Sequence, residues 1–156
     1  MISGETMGLL TLAALGGAAV VTTIAWYVIQ VIARWRLFTK AGEAGWKSII
    51  PFYNDYIVCK LSWKTSMFWI YLVLLVIGAT ITGSAAEGTF LNTVGELFEV
   101  GGAIVWAMSM FRLALSFGKS RGFGWGMVFL EPIFILILAF TPGQYQGPVD
   151  KVKEIE

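Results

Sequence analysis

The stretch that decides the fold runs from residue 9 to residue 33, LLTLAALGGAAVVTTIAWYVIQVIA. It carries no charge. A helix needs about 20 apolar residues to cross the hydrocarbon core of a bilayer, so this run is long enough to span with some tilt. The residues before it, MISGETMG, hold no Lys or Arg. A cleavable signal peptide has a basic leader and a shorter apolar core, so the run reads as an uncleaved transmembrane helix. Ala13 and Gly17, and likewise Ala14 and Ala18, sit one turn apart. Small residues at that spacing suit close helix packing.

The rest of the chain follows the same logic. Of its 156 residues, 57% are hydrophobic and 13% charged. Soluble domains hold about 45–50% apolar and about 25% charged residues, so the shift goes the way lipid demands. Three further apolar runs read as spans, at 67–85, 92–117 and 123–141. Pro142-Gly143 stops the last one. These are continuous runs rather than the alternating pattern of a barrel. Lipid offers no partner to a free backbone amide, so each should be helical. The expectation is an all-α polytopic membrane protein with about four transmembrane helices. Residues 1–143 form one domain, and the polar tail 144–156 should be flexible.

Between the first two spans lies a segment, residues 34–66, too polar to cross and too aromatic for an idle linker. Trp46, Ile49, Ile50, Tyr53 and Ile57 recur at helical spacing, and Trp35, Trp46, Trp63 and Trp69 mix with lysines. That mixture suits headgroup level. Pro51 disfavours helical geometry at Ile50. One or two short interfacial helices, broken near Ile50-Pro51, are expected. They serve either as an anchor fixing where the second span enters, or as a docking surface or gate. The residues to watch are Trp46, Lys47, Tyr53, Asn54, Asp55 and Lys60.

Basic residues set orientation. Arg34, Arg36, Lys40, Lys47, Lys60 and Lys64 lie in that segment, and Arg112, Lys119 and Arg121 flank the third span's end. Lys and Arg stay cytoplasmic. Loops 34–66 and 118–122 are therefore expected in the cytoplasm, and an even number of spans puts both termini outside.

Two blocks, KAGEAGWKSIIPFYNDYIVCKLSWK and LALSFGKSRGFGWGMVFLEPIFILILAFTPGQYQGP, together cover over a third of the chain. They resemble a small bacterial inner-membrane family of unknown function, some of whose members are labelled signal peptidase I. The resemblance implies a bacterial polytopic membrane protein and no activity. The peptidase label requires a Ser–Lys pair on a sizeable extracytoplasmic β-domain, which these loops cannot hold. The family usually has an apolar residue where Glu131 stands, so Glu131 is a departure.

Charges inside the spans are costly, at about 2.5–3.5 kcal/mol each on insertion scales, and need partners. Glu96 and Glu99 share one helical face, continued by Gly95, Gly102, Ala103, Trp106 and Ser109. That face should point into protein. Counted at about 1.5 Å per residue, Glu131 lies about 12 Å deep and Arg112 about 7 Å deep from the basic side. A short turn joins their helices, so an Arg112–Glu131 ion pair is expected. The alternatives are a proton or cation relay through Glu96, Glu99 and Glu131, or Arg112 snorkelling to head groups with Glu131 facing a partner subunit.

Familiar catalytic chemistry is missing from the sequence. The chain has no histidine and one cysteine, Cys59. That removes His-ligated metals, intrachain disulfides and Fe–S clusters. GKSRG at 118–122 lacks the earlier glycine of a phosphate loop and reads as a basic turn. Lys47-Ser48 and Ser62-Lys64 are neighbours in sequence, not a positioned dyad. No cofactor, metal site or nucleic-acid partner is expected. The sequence points to a non-catalytic accessory or scaffolding subunit that self-associates or joins other membrane subunits. A small channel or transporter is the second reading. An enzyme comes third, and would show itself by a lipid head group bound near Asn54, Asp55 or Lys60.

Overall fold

The computed structural model describes residues 4–152. These residues form helices and connecting turns, with no strand among them. Helix α1 spans Gly4–Lys40. A single 3₁₀ turn, Gly45–Ser48, precedes α2, Tyr53–Ser62. Helices α3, Thr65–Ser84, and α4, Phe90–Ser116, follow. Then come α5, Arg121–Phe129, α6, Glu131–Phe140, and a short α7, Val149–Val152. Three helices, α1, α3 and α4, are long and apolar enough to cross a membrane.

Local chemistry sets the boundaries. The Thr89 side chain accepts a hydrogen bond from the Asn92 amide and caps α4, and the Ser120 side chain does the same for Phe123 in α5. Gly88, at φ +75, makes the turn between α3 and α4. Those two helices then approach closely. A Cβ on Gly78 would lie 2.7 Å from Glu99 Cγ and 3.0 Å from the Gly95 carbonyl oxygen, and one on Gly95 would meet Thr82 Cγ2 at 2.7 Å.

The expected fourth span, 123–141, is two half-helices broken at Leu130. Pro132 explains the break. It has no amide hydrogen, and its ring would collide with the carbonyl four residues back, on Val128. Proline is well placed instead in the first turn of a new helix, where it opens α6. At about 1.5 Å per residue, α5 and α6 are each about 14–15 Å long, half of what a crossing needs. Gln30 Nε2 donates to the Pro132 carbonyl, while Lys40 Nζ donates to those of Leu138 and Thr141. So α6 runs alongside α1 and returns to the level of Lys40. The pair α5–α6 is a hairpin that rises from the α4 C-terminus and comes back.

Residues 41–62 make a second excursion of the same kind. The Trp35 indole packs directly on Gly45, Ser48 Oγ donates to the Val31 carbonyl, and Tyr27 Oη donates to that of Ile49. The chain therefore retraces α1 away from Lys40. It turns at Pro51-Phe52, with Phe52 at φ 61, and descends again as α2. Ile57, Val58, Cys59, Leu61 and Ser62 are all buried. The expected short helices and the break near Ile50-Pro51 are present, and α2 packs inside the protein on α4 and α3.

The core gathers where these pieces meet: Leu37 and Phe38 of α1, Leu61 of α2, Leu113 of α4, Met127 of α5 and Leu138 of α6. It occupies the basic end of the molecule. Towards the other end, every residue of α1 from 13 to 29 is exposed.

Candidate functional site

The N-terminal turns of α2 and α6 meet at one charged node. Asp55 lies in the first turn of α2, and Glu131 opens α6. A carboxylate at either place is favoured by the partial positive charge of a helix N-terminus. Arg34 of α1 bridges them, with Nη2 2.6 Å from Glu131 Oε1 and Nη1 3.7 Å from Asp55 Oδ1. The other Glu131 oxygen accepts from Trp106 Nε1 of α4 at 3.0 Å. Trp106 lies against Tyr71 of α3, ring centroids 5.4 Å apart. All three charged side chains are at most a quarter exposed. Neighbouring Asn54 has its Oδ1 buried without a hydrogen-bond partner. Two carboxylates against one guanidinium give the node a formal charge of one negative.

The expected Arg112–Glu131 pair does not form. Arg112 Nη1 binds Asp150 Oδ1 at 2.7 Å, and its guanidinium stacks 4.0 Å over the Trp63 ring. Glu131 lies instead at the level of Trp106, which donates to it, about 9 Å along α4 from Arg112 at about 1.5 Å per residue, and Arg34 takes its other oxygen.

The other carboxylates are held elsewhere. Glu96 accepts from Asn92 Nδ2 at 2.7 Å, and Glu99 accepts from Thr82 Oγ1 at 2.9 Å. Of the expected inward face, Gly95, Gly102 and Ser109 are buried, whereas Glu96 and Glu99 are exposed. Glu99 lines a groove of about 450 Å³ with Tyr71, Leu75, Ala103 and Trp106. Glu96 and Glu131 are not part of that groove. The three carboxylates therefore have separate partners.

The remaining residues of the 34–66 segment sort into two sets. Trp46 stacks on Tyr53, and Tyr53 on Tyr56, at centroid distances of 6.1 and 5.7 Å. Lys47 and Lys60 converge on Glu43, at 2.5 and 2.6 Å. The hydrogen bonds from Lys47 and then Lys60 hold the Glu43 carboxyl below its ordinary 4.5.

The tail, expected to be flexible, is tied down over its described part. Tyr145 Oη donates to the Leu61 carbonyl at 2.8 Å, and the Gln146 amide donates to that of Ser116 at 2.8 Å. Burial pushes the Tyr145 phenol up to about 12. The hydrogen bond from Arg112 holds Asp150 low. These contacts place the tail at the α4 C-terminal end, beside the basic segment. Residues 153–156 lie outside the described residues.

Sequence reasoning missed Arg34, Glu43, Trp106, Tyr145 and Asp150. Two had a signal. Glu43 stands four residues before Lys47, the spacing of a helical ion pair. Arg34 ends the first apolar run, at a depth a broken fourth helix could reach. The tail contacts had none, since they join residues 38 and 84 positions apart.

Residues 46–148 match DUF5684, a family of unknown function. That is about two thirds of the chain, and the chain belongs to this family. Comparisons with curated proteins and with solved structures each found no match.

Proposed function

We propose that this DUF5684 member is a non-catalytic subunit of a membrane assembly, and that the outer half of α1 is the element by which it docks. The observation that carries this reading is the exposure of α1 from residue 13 to residue 29. Within the chain, α1 packs on α6 and the 3₁₀ turn, both at its basic half. Gly16 and Gly17 have nothing within 4 Å of where a Cβ would stand. In lipid, helices associate by close packing of small residues rather than by hydrophobic burial. A helix of another subunit, or of a second copy, completes the outer half.

The basic end faces the cytoplasm of a bacterial inner membrane, by the distribution of Lys and Arg. Three spans and two re-entrant excursions then put the N-terminus outside and the C-terminal tail inside. Re-entrant backbone is tolerated at membrane depth when it is packed against protein, and α2 and α6 each bury one face that way.

Single cysteines at Ala14, Gly17 and Val21, in a Cys59→Ser background, test the docking role. Oxidation in native membranes should give cross-linked species at a helical subset of positions. Native mass spectrometry of the uncross-linked protein should show fixed stoichiometry. A monomer that cross-links at none of the positions would sink the proposal.

A second reading, conduction of protons or small cations, rests on a specific observation. Half-helix ends carrying Asp55 and Glu131 meet at one level, as the discontinuous helices of transporters do. Against it stands Arg34, which already neutralises one of the carboxylates. Reconstituted liposomes decide: flux in the wild type, lost in Glu131→Gln and Asp55→Asn, would establish conduction, and its absence would remove it.

A further inference from the structure

A groove of about 610 Å³ runs between α4 and α5. Its walls are apolar, with Ile104, Met108, Phe111 and Leu115 on α4 facing Trp125 and Val128 on α5. Arg112 and Arg121 also line it. The two arginines differ in what holds them. Arg112 is engaged by Asp150 at 2.7 Å and by Trp63. Arg121 is exposed and makes no ion pair among the described residues. It is the first residue of α5, so the positive end of that helix adds to its charge. Lys119, two residues earlier, turns its Nζ to the Pro142 carbonyl at 3.4 Å instead. Asp150 balances Arg112, so Arg121 is the groove's uncompensated cation among the described residues.

We infer that this groove holds an acyl chain of an anionic phospholipid whose head group sits on Arg121. Length favours this occupant. From Ile104 to Leu115 the wall extends about 16 Å, at about 1.5 Å per residue. One leaflet of a hydrocarbon core about 30 Å thick is about 15 Å deep. The apolar wall therefore matches one leaflet, and the basic residues lie where its head groups begin. Charge favours an anionic head group, because basic pockets between membrane helices take such lipids. A soluble anion would need the arginine and none of the wall.

The test uses the full chain in nanodiscs of equal parts phosphatidylglycerol and phosphatidylcholine, released into a native mass spectrometer. The wild type should retain phosphatidylglycerol preferentially. Arg121→Gln should lower that preference about fivefold, the effect of one basic residue near an anionic surface. Arg121→Lys should keep most of it. Ala107→Trp, which fills the groove, should lower retention of both lipids. Melting temperature and elution volume establish that each variant folds, and the Lys and Trp variants keep the test decisive if Arg121→Gln does not. Equal retention of both lipids by the wild type would overturn the inference. So would unchanged phosphatidylglycerol retention in folded Arg121→Gln or Ala107→Trp. Inorganic phosphate that raises the melting temperature as much as phosphatidylglycerol does would overturn the chain-binding half.

Discussion

Arg34 organises the interior. Its guanidinium joins α1 to α2 and α6 through Asp55 and Glu131. Removing one member of a fully buried ion pair typically costs about 3–5 kcal/mol, and less where the pair is partly exposed, as here. Arg34→Gln should therefore lower unfolding free energy in mild detergent by about 1–3 kcal/mol. In a double-mutant cycle, Arg34→Gln and Glu131→Gln should couple strongly. Arg112→Gln and Glu131→Gln should be additive, since Arg112 is bound to Asp150 instead. Glu43 gives a pH signature at the same scale. Lys47 and Lys60 lower its pKa in the folded state. Such a group stabilises above the ordinary value and loses that stabilisation as pH falls through the lowered one. The melting temperature of the wild type should exceed that of Glu43→Gln at neutral pH, and the gap should close on acidification below the ordinary 4.5.

At the scale of elements, glycines decide how near α3 and α4 come. Gly78 faces Glu99 and the Gly95 backbone, so a larger side chain has nowhere to go. Gly78→Leu should cost at least the about 1–3 kcal/mol of overpacking and separate the helix pair. Gly101 is the contrast, because a Cβ there meets only Leu74, at an ordinary 3.6 Å. Gly101→Ala should be tolerated or stabilising, as alanine is the better helix former. Thermal unfolding of both variants checks the difference. The long elements were legible because their apolar runs are uninterrupted: α1, α3 and α4 fall close to the expected spans 9–33, 67–85 and 92–117. The fourth run is just as apolar, and hydropathy does not register a missing amide hydrogen. Pro132 was visible in it, but whether a proline kinks a helix or ends it depends on what packs around the break. Here Gln30 of α1 donates to the Pro132 carbonyl in the first turn of α6. The course of residues 34–66 was hidden for a related reason. Its aromatic and basic residues suit a membrane surface, yet α2 buries Ile57, Val58 and Leu61 against the rest of the protein. Composition reports the neighbours a residue tolerates, and does not say whether those neighbours are lipid or protein.

At the scale of the molecule, two excursions enter from the basic end and meet at Arg34, while the opposite end presents the exposed stretch of α1 and the α3–α4 hairpin. The node was only partly legible in sequence. Asp55 and Glu131 were singled out, but their meeting depends on both chain reversals, and each reversal is set by tertiary contacts such as Trp35 on Gly45. The number of crossings follows from the same reversals. If α5–α6 returns to its starting side, the tail shares a side with the basic loops, as its bonds to Leu61 and Ser116 require. The most direct measurement is sidedness labelling with a membrane-impermeant thiol reagent, using Gln144→Cys, Lys119→Cys and Glu87→Cys separately in a Cys59→Ser background in oriented vesicles. The account predicts that Gln144→Cys and Lys119→Cys react from one side and Glu87→Cys from the other. Reaction of Gln144→Cys from the side of Glu87→Cys would mean that residues 121–140 cross the membrane, and would contradict the account.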